Sequence, residues 1–177
     1  MGNIVVKLWE FTDDDIALYR KWIVESNPES TTCRPAGDTD LEEMKRRFRE
    51  RLDGETAGHF AVRRIVDEVL VGREANFDLN SRNRSAEIGY LVGTEFRGRG
   101  YAHQAVWLLL RRLFENLNLN KAMAQTGEFN TESIAVLQKP GFNQDGRLRQ
   151  HHPVDGKIYD DLFYSKLRDE FNPGDFG

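Results

Sequence analysis

Seven stretches of the chain carry the hydrophobic pattern of β-strands. Three central stretches alternate polar and apolar residues with a period of two, and short turn-forming segments join them as a meander. The last two stretches form a hairpin closed around Val154-Asp155-Gly156. The predicted strands are residues 4–11, 59–66, 69–79, 86–92, 121–126, 142–152 and 157–167.

Four other segments repeat apolar residues at helical spacing. The first begins at Thr12, with an acidic residue at the capping-box distance, and the second opens near Thr39. The third runs from about Tyr101 to Asn116, and the fourth spans residues 130–139 before a Pro-Gly pair. The element order β-α-α-β-β-β-α-β-α-β-β predicts a mixed α/β sheet in a single domain that covers residues 1–177.

The composition of the chain argues against a membrane-spanning protein and against a nucleic-acid binder. The 177 residues are 39% hydrophobic and 31% charged, and no apolar run approaches the ~18 residues of a membrane span. A net charge of −4 disfavours a general nucleic-acid binder, which is usually basic. Cys33 is the single cysteine, so the chain has no internal disulfide, and we expect a cytoplasmic protein.

The four histidines lack the spacing of a metal site. His59 and His103 belong to separate predicted elements, while His151 and His152 are adjacent. Adjacent residues on a strand point to opposite faces of the sheet, so the pair does not converge on one ion. We therefore predict no metal site.

The segment Phe-Arg-Gly-Arg-Gly-Tyr-Ala joins the third meander strand to the long helix. Gly98 and Gly100 allow the backbone to approach a ligand closely, and Arg97 and Arg99 add cations at the positive end of a helix. This arrangement suits a pyrophosphate, although a solvated turn with incidental arginines is the alternative. The segment lacks the Gly-Lys-Ser/Thr of a P-loop and the third small residue of the dinucleotide fingerprint.

The longer stretch AEIGYLVGTEFRGRGYAHQAVWLLL resembles the acetyl-coenzyme A signature of the GNAT superfamily of N-acetyltransferases. The family pattern Gln/Arg-x-x-Gly-x-Gly/Ala falls on Arg97, Gly100 and Ala102. NTESIAVLQKPGF and GRLRQHHPVDGKIYDDLFYSKLRDEF are similar to later blocks of the RimJ/RimL-type branch, in the same order. The resemblance covers nearly the whole chain and implies a mostly antiparallel central sheet whose strands splay at the acetyl-coenzyme A site.

The resemblance also implies where the cofactor binds. Pantetheine would pair with the backbone around Leu91 and Val92, and the pyrophosphate would lie on the amides of residues 97–102, which include Tyr101. Asn130 would hold the pantetheine arm from the far side of the gap.

Acetyl transfer to an amine requires a base, a site for the oxyanion and a donor for the leaving thiolate. Strand alternation places Glu87 on one face with Leu91, and the family often has a water-linked base at the Glu87 position. A structural ion pair is the alternative role for Glu87. A backbone amide near Leu91 would receive the oxyanion.

The sequence does not decide which group donates to the departing thiolate. Many relatives place a tyrosine at the position of Leu137, so Ser133, water or Tyr164 are the candidates here. Ser133 lies one helical turn after Asn130 and alternatively has only a capping or packing role. The resemblance also implies that His151 faces the acceptor cleft.

These observations predict an acetyl-coenzyme A-dependent N-acetyltransferase that acts by direct transfer in a ternary complex. The acceptor would be a primary amine, either a protein N-terminus or a small molecule, entering beside residues 26–38 and the final hairpin. The rival interpretation is a non-catalytic acyl-coenzyme A-binding module that keeps the cofactor cradle. Dimers are frequent among relatives, so a homodimer is a further expectation of the resemblance.

Overall fold

A computed structural model describes residues 3–27, 40–52 and 58–174. Cys33, Thr39 and most of the expected acceptor entrance at residues 26–38 lie outside the described residues. The strands are β1 (Val6–Glu10), β2 (Gly58–Arg64), β3 (Leu70–Asn80), β4 (Ser85–Val92), β5 (Lys121–Gly127), β6 (Asn143–Val154) and β7 (Lys157–Leu167). The helices are α1 (Asp13–Glu25), α2 (Leu41–Leu52), α3 (Tyr101–Arg111) and α4 (Thr131–Gln138).

Polar side chains set the starts of α1 and α2. The Thr12 amide donates to Asp15 Oδ2 at 3.0 Å, which is half of the capping box that the sequence predicts. The Glu43 amide donates to Asp40 Oδ1 at 3.0 Å at the start of α2. These contacts occupy amides that have no partner within their own helix.

The strands form one seven-stranded sheet in the order β1-β2-β3-β4-β5-β7-β6. Every neighbouring pair is antiparallel except β4 and β5, which are parallel. The predicted fold class, a mostly antiparallel mixed sheet with flanking helices, is confirmed. The two parallel strands stay together only over Ser85–Lys121, Ala86–Ala122 and Glu87–Met123, and then separate.

Helices cover both faces of the sheet. On one face, α3 and α4 bury Leu109 and Leu137 against Ile88 of β4. On the other face, α1 and α2 enclose Trp22 and Phe48. Full burial of each large apolar side chain contributes about 1.5–3 kcal/mol, so the two clusters hold the helices against the sheet.

The long helix differs from its prediction in its last turn. The α-helical part ends at Arg111, and residues Arg112–Asn116 form a π-helical turn in which the Leu117 amide donates to the Arg112 carbonyl at 3.1 Å. The widened turn keeps Leu113 and Phe114 almost fully buried, so packing of both side chains favours this distortion.

Candidate acyl-transfer site

The separation of β4 from β5 creates the candidate site. Beyond Glu87, no residue of β5 pairs with β4 in the described chain, so one edge of residues 88–92 faces a gap. A cavity of about 590 Å³ occupies this gap and extends to the start of α3 and the start of α4. A pair of parallel strands that opens in this way presents backbone hydrogen-bonding groups to a ligand.

Gly98 and Gly100 form the floor at one end of the cavity. Their φ angles are +73° and +76°, in the left-handed region that glycine adopts without strain. A Cβ atom added at either position would meet nothing within 4 Å, so the space beside the backbone is open. Gly100 immediately precedes α3, so the positive end of that helix faces the same space.

The two arginines of this segment are exposed and lie on either side of Gly98. Arg97 donates to the Ser26 hydroxyl at 2.6 Å, and Arg99 donates to the Glu95 carbonyl at 3.3 Å. Neither of these described contacts neutralises a guanidinium charge, because both acceptors are uncharged oxygens. The segment therefore combines a helix N-terminus, open glycines and two cations, a set that suits a pyrophosphate.

The other residues that the sequence assigns to the cofactor also line the cavity: Leu91, Val92, Tyr101, Ala102 and Asn130. The Tyr101 ring is buried beside Val6 and Val71, which leaves its backbone, rather than its ring, for a ligand. Asn130 Oδ1 accepts the Ser133 amide at 3.0 Å and so caps α4. This cap fixes the start of α4 against the cavity.

Glu87 lies at the fork, the point where β4 and β5 separate. It forms the last pair with Met123 of β5 and pairs with Phe77 of β3 on its other side. Its side chain is half-buried and lines the cavity on the face that α1 and α2 cover. A carboxylate at this position can take a proton from a group that enters the gap.

Ser133 has a partner that the sequence does not suggest. Its hydroxyl lies 2.9 Å from the Tyr90 hydroxyl, which also donates to the Ser133 carbonyl at 3.1 Å. Burial raises the pKa of Tyr90 well above its ordinary value, so the phenol stays neutral and keeps its proton. Both residues line the cavity.

Leu137 occupies the position at which the resemblance places a tyrosine. It is fully buried in the core cluster beneath α4, and it also lines the cavity. Tyr164, an alternative donor from the sequence, is 4% exposed in the same cluster and is not among the residues that line the cavity. The interpretation of Tyr164 as a donor is therefore wrong, because core packing holds its side chain away from the gap.

His152 rather than His151 lies on the cavity. His151 is exposed, whereas His152 is 6% exposed, lines the gap and contacts Asp161 Oδ1 through Nδ1 at 2.9 Å. Adjacent residues of a strand point to opposite faces of the sheet, so His151, which the resemblance places in the acceptor cleft, points away from the cavity that His152 lines.

The described part of the chain contains neither a metal-binding cluster nor a membrane-spanning helix. No group of three or more His, Cys, Asp or Glu side chains in residues 3–27, 40–52 and 58–174 is arranged to hold a metal ion. Within the same ranges, no helix has both the length and the apolar character to cross a bilayer.

Comparison with known proteins identifies the family. The family model described as an acetyltransferase (GNAT) domain matches residues 6–143. The chain is 33% identical to YdaF of Bacillus subtilis strain 168, provisionally named a ribosomal N-acetyltransferase, over 85% of this chain and 79% of that protein. It is 26% identical to spermidine N(1)-acetyltransferase of Escherichia coli K12, over 82% of this chain and 71% of that protein.

A solved structure shares the fold. Spermidine N-acetyltransferase of Vibrio cholerae, in complex with CoA and spermine, superposes with a TM-score of 0.87 at 20% identity. The superposition covers 95% of this chain and 98% of that one. The chain therefore belongs to the GNAT acetyltransferase family, and the protein is an acyltransferase of the N-acetyltransferase class. The family uses acetyl-coenzyme A as its acyl donor.

Proposed function

We propose that the protein transfers an acetyl group from acetyl-coenzyme A directly to a primary amine in a ternary complex. The observation that carries this proposal is the gap between β4 and β5, with Glu87 at its fork and the Gly98–Gly100 turn at its far end. The open glycines and the unpaired edge of β4 fit the elongated shape and the charge of coenzyme A. The whole chain, residues 1–177, would act as one N-acetyltransferase domain.

Residues that line the gap between β4 and β5 would bind acetyl-coenzyme A, the acyl donor. The amides of residues 97–102 and the guanidinium groups of Arg97 and Arg99 would bind the pyrophosphate. The edge of β4 at Leu91 and Val92 would pair with the pantetheine arm, and Asn130 would flank it. When bound, acetyl-coenzyme A supplies an acetyl group that its thioester activates for attack.

Three groups of the chain would perform the proton and charge transfers. Glu87, acting through a water molecule, would take a proton from the acceptor amine. The backbone amide near Leu91 would donate to the negative charge that develops on the carbonyl oxygen. Ser133, whose hydroxyl lies beside that of Tyr90, would donate a hydrogen bond to the departing thiolate, which takes its proton from water.

The acceptor is proposed as a primary amine on a protein N-terminus or on a small molecule. The name of YdaF, a relative provisionally assigned to ribosomal acetylation, favours the RimJ/RimL-type branch and a protein N-terminus. The spermidine acetyltransferases among the relatives favour a polyamine. The carboxylate of Glu87, which lines the gap, suits either cationic acceptor.

A thiol-release assay would test the proposal. Acetyl-coenzyme A would be combined with a panel that contains spermidine, spermine and peptides with free N-terminal Ser, Thr, Ala or Met. We expect amine-dependent release of free thiol, and mass spectrometry should find one added acetyl group on the acceptor. Coenzyme A binding without thiol release from any panel amine would instead support the non-catalytic acyl-coenzyme A-binding module.

Two properties of the whole protein, its compartment and its oligomeric state, belong to the same proposal. The single cysteine fits a reducing compartment, which favours the cytoplasm. A homodimer is proposed from the family resemblance, and light scattering of the purified protein would test it.

A further inference from the structure

The end of α1 presents three side chains in one direction. Trp22, Glu25 and Ser26 are spaced three and four positions apart from Trp22, which places them on one face of a helix. The helix ends at Glu25, and Ser26 is its C-cap. This face contacts residues 93–97, the segment that joins β4 to the turn at Gly98.

Trp22 packs against the backbone at the end of β4. Its indole ring is fully buried, and a Cβ atom added at Gly93 would lie 2.3 Å from the ring atom Cε2. The same ring meets Phe96 edge-on, with 6.2 Å between the centroids. Close packing at both residues fixes the segment against α1, since a well-packed interior has little room to shift.

Two side-chain hydrogen bonds continue this contact as far as Arg97. The Thr94 hydroxyl donates to Glu25 Oε2 at 3.0 Å, and Arg97 Nη2 donates to Ser26 Oγ at 2.6 Å. Arg97 Nε also donates to the Val92 carbonyl at 3.4 Å. The guanidinium of this exposed arginine is therefore held at two of its nitrogen atoms.

These contacts leave part of the guanidinium for a ligand. A guanidinium has five N–H groups, and in the described residues those of Arg97 Nη1 and the second of Nη2 meet no acceptor. Both Arg97 and Ser26 line the cavity, beside Gly98 and Gly100. An arginine that is already oriented loses less side-chain freedom when it binds a phosphate, so the binding is tighter.

A hydroxyl suits this role better than a carboxylate would. The oxygen of Ser26 accepts the hydrogen bond without a charge, so the positive charge of Arg97 stays available for an anion. A carboxylate in the same place would form a salt bridge with Arg97 and would repel a phosphate in the cavity. The neighbouring carboxylate, Glu25, contacts Thr94 and Lys21 instead.

We propose that Ser26 is a positioning residue of the donor site, whose hydroxyl orients the guanidinium of Arg97 toward the diphosphate of the acyl donor. This proposal rests on the proposed binding of acetyl-coenzyme A. The last turn of α1 is then part of the donor site, although the sequence signature of that site lies in residues 86–110.

Calorimetric titration with coenzyme A tests the role of Ser26. We expect Ser26→Ala to raise the Kd by about fivefold, within the range expected for the ordering of one flexible side chain. Ser26→Thr keeps a hydroxyl and should recover most of the lost affinity. Ser26→Asp should raise the Kd further than Ser26→Ala, because it adds a negative charge. Ser81→Ala, at an exposed serine in the turn between β3 and β4, is the control and should keep the Kd of the parent.

A double-mutant cycle separates the orientation of Arg97 from general packing. Arg97→Met keeps much of the side-chain volume and removes every N–H donor, so Ser26 has no guanidinium to orient. In that background Ser26→Ala should change the Kd by less than about 1.5-fold. Pantetheine lacks the diphosphate, so titrations followed by NMR should give it the same affinity for the parent and for Ser26→Ala.

The outcomes distinguish this inference from the proposed function. A parent that does not bind coenzyme A overturns both. A parent that binds coenzyme A but releases no thiol overturns acetyl transfer alone, because the test of Ser26 measures binding. The role of Ser26 is overturned by a Kd for Ser26→Ala within about 1.5-fold of the parent, by an equal loss in the Arg97→Met background, or by an equal loss of pantetheine affinity.

Discussion

At the scale of single residues, the most informative side chain outside the cavity is Glu74. It is fully buried on β3, paired with Phe60 and Tyr90 on the neighbouring strands. Neither carboxyl oxygen has a hydrogen-bond partner within the described residues. Burial alone raises its pKa well above the ordinary value of 4.5, because the charged form is poorly solvated there.

Glu74 should make the stability of the protein depend on pH. The folded state holds a proton that the unfolded chain releases as the pH rises above about 4.3, so the contribution of Glu74 destabilises the fold progressively above that pH. Glu74→Gln removes the titration, and its free energy of unfolding should rise relative to the parent between pH 4 and pH 8. Urea unfolding at several pH values would measure this, with the exposed Glu115→Gln as control. A parent-to-variant difference that is constant with pH would contradict it.

Glu87→Gln keeps the shape of the side chain at the fork but removes the proton acceptor. We expect kcat to fall by about 10²–10⁴-fold, the usual contribution of a general base, while coenzyme A affinity stays nearly unchanged. Steady-state kinetics with calorimetry would separate the two quantities. A kcat within about threefold of the parent would show that the amine arrives neutral or that another group serves.

The hydroxyl pair of Tyr90 and Ser133 can be tested as a unit. We expect Ser133→Ala to lower kcat by about 10–10²-fold, because a coenzyme A thiolate leaves tolerably with little help. Tyr90→Phe should lower kcat by less, and the double variant should resemble Ser133→Ala, because Tyr90 acts through Ser133. Single-turnover measurements exclude product release as the limiting step. Fully additive losses would show that the two hydroxyls act separately.

At the scale of elements, the turn at residues 97–100, before α3, is the segment that we expect to bind coenzyme A. Gly100→Glu places a side chain and a negative charge in the open space beside the helix end, so coenzyme A binding should be lost. Gly156→Glu is the matched control, since Gly156 also has a positive φ (+74°) and open surroundings but lies in the final hairpin. Both variants carry the same backbone strain, so calorimetry isolates the site. Equal affinity in the two variants would remove the turn from the site.

The elements also show what periodicity can predict. Alternation predicted β4, and the two glycines predicted the turn in which Gly98 and Gly100 have positive φ, because both features depend on local backbone preferences. That this turn binds the cofactor stays a prediction. The bulge in β6 before His152 could not be predicted, since it depends on a ladder between distant segments. The contact between Tyr90 and Ser133 is equally non-local, joining residues 43 positions apart in sequence.

At the scale of the whole molecule, charge is divided along the cavity. Arg97 lines the cavity at the end near α3, with the exposed Arg99 two residues further along the chain, whereas Glu87 lines the cavity at the fork. Although the net charge of the chain is −4, the cavity has a cationic end, which would suit a phosphate-bearing donor, and a carboxylate at the fork, which would suit a cationic acceptor. Under the proposed function, this distribution of charge would attract the donor and the acceptor to different parts of the cavity.

In the described part of the chain, the register between β4 and β5 has three residue pairs, and these join the four-stranded half of the sheet, β1 to β4, to the three-stranded half, β5, β7 and β6. A donor lying in the gap would complete this seam, so it would act as a part of the sheet as well as a reactant. A ligand that binds only the folded chain stabilises it by about 2.7 kcal/mol at a concentration one hundred times its Kd. The lifetime of the protein in a cell would therefore follow the supply of acyl donor, and scarcity of that metabolite would hasten its unfolding and turnover.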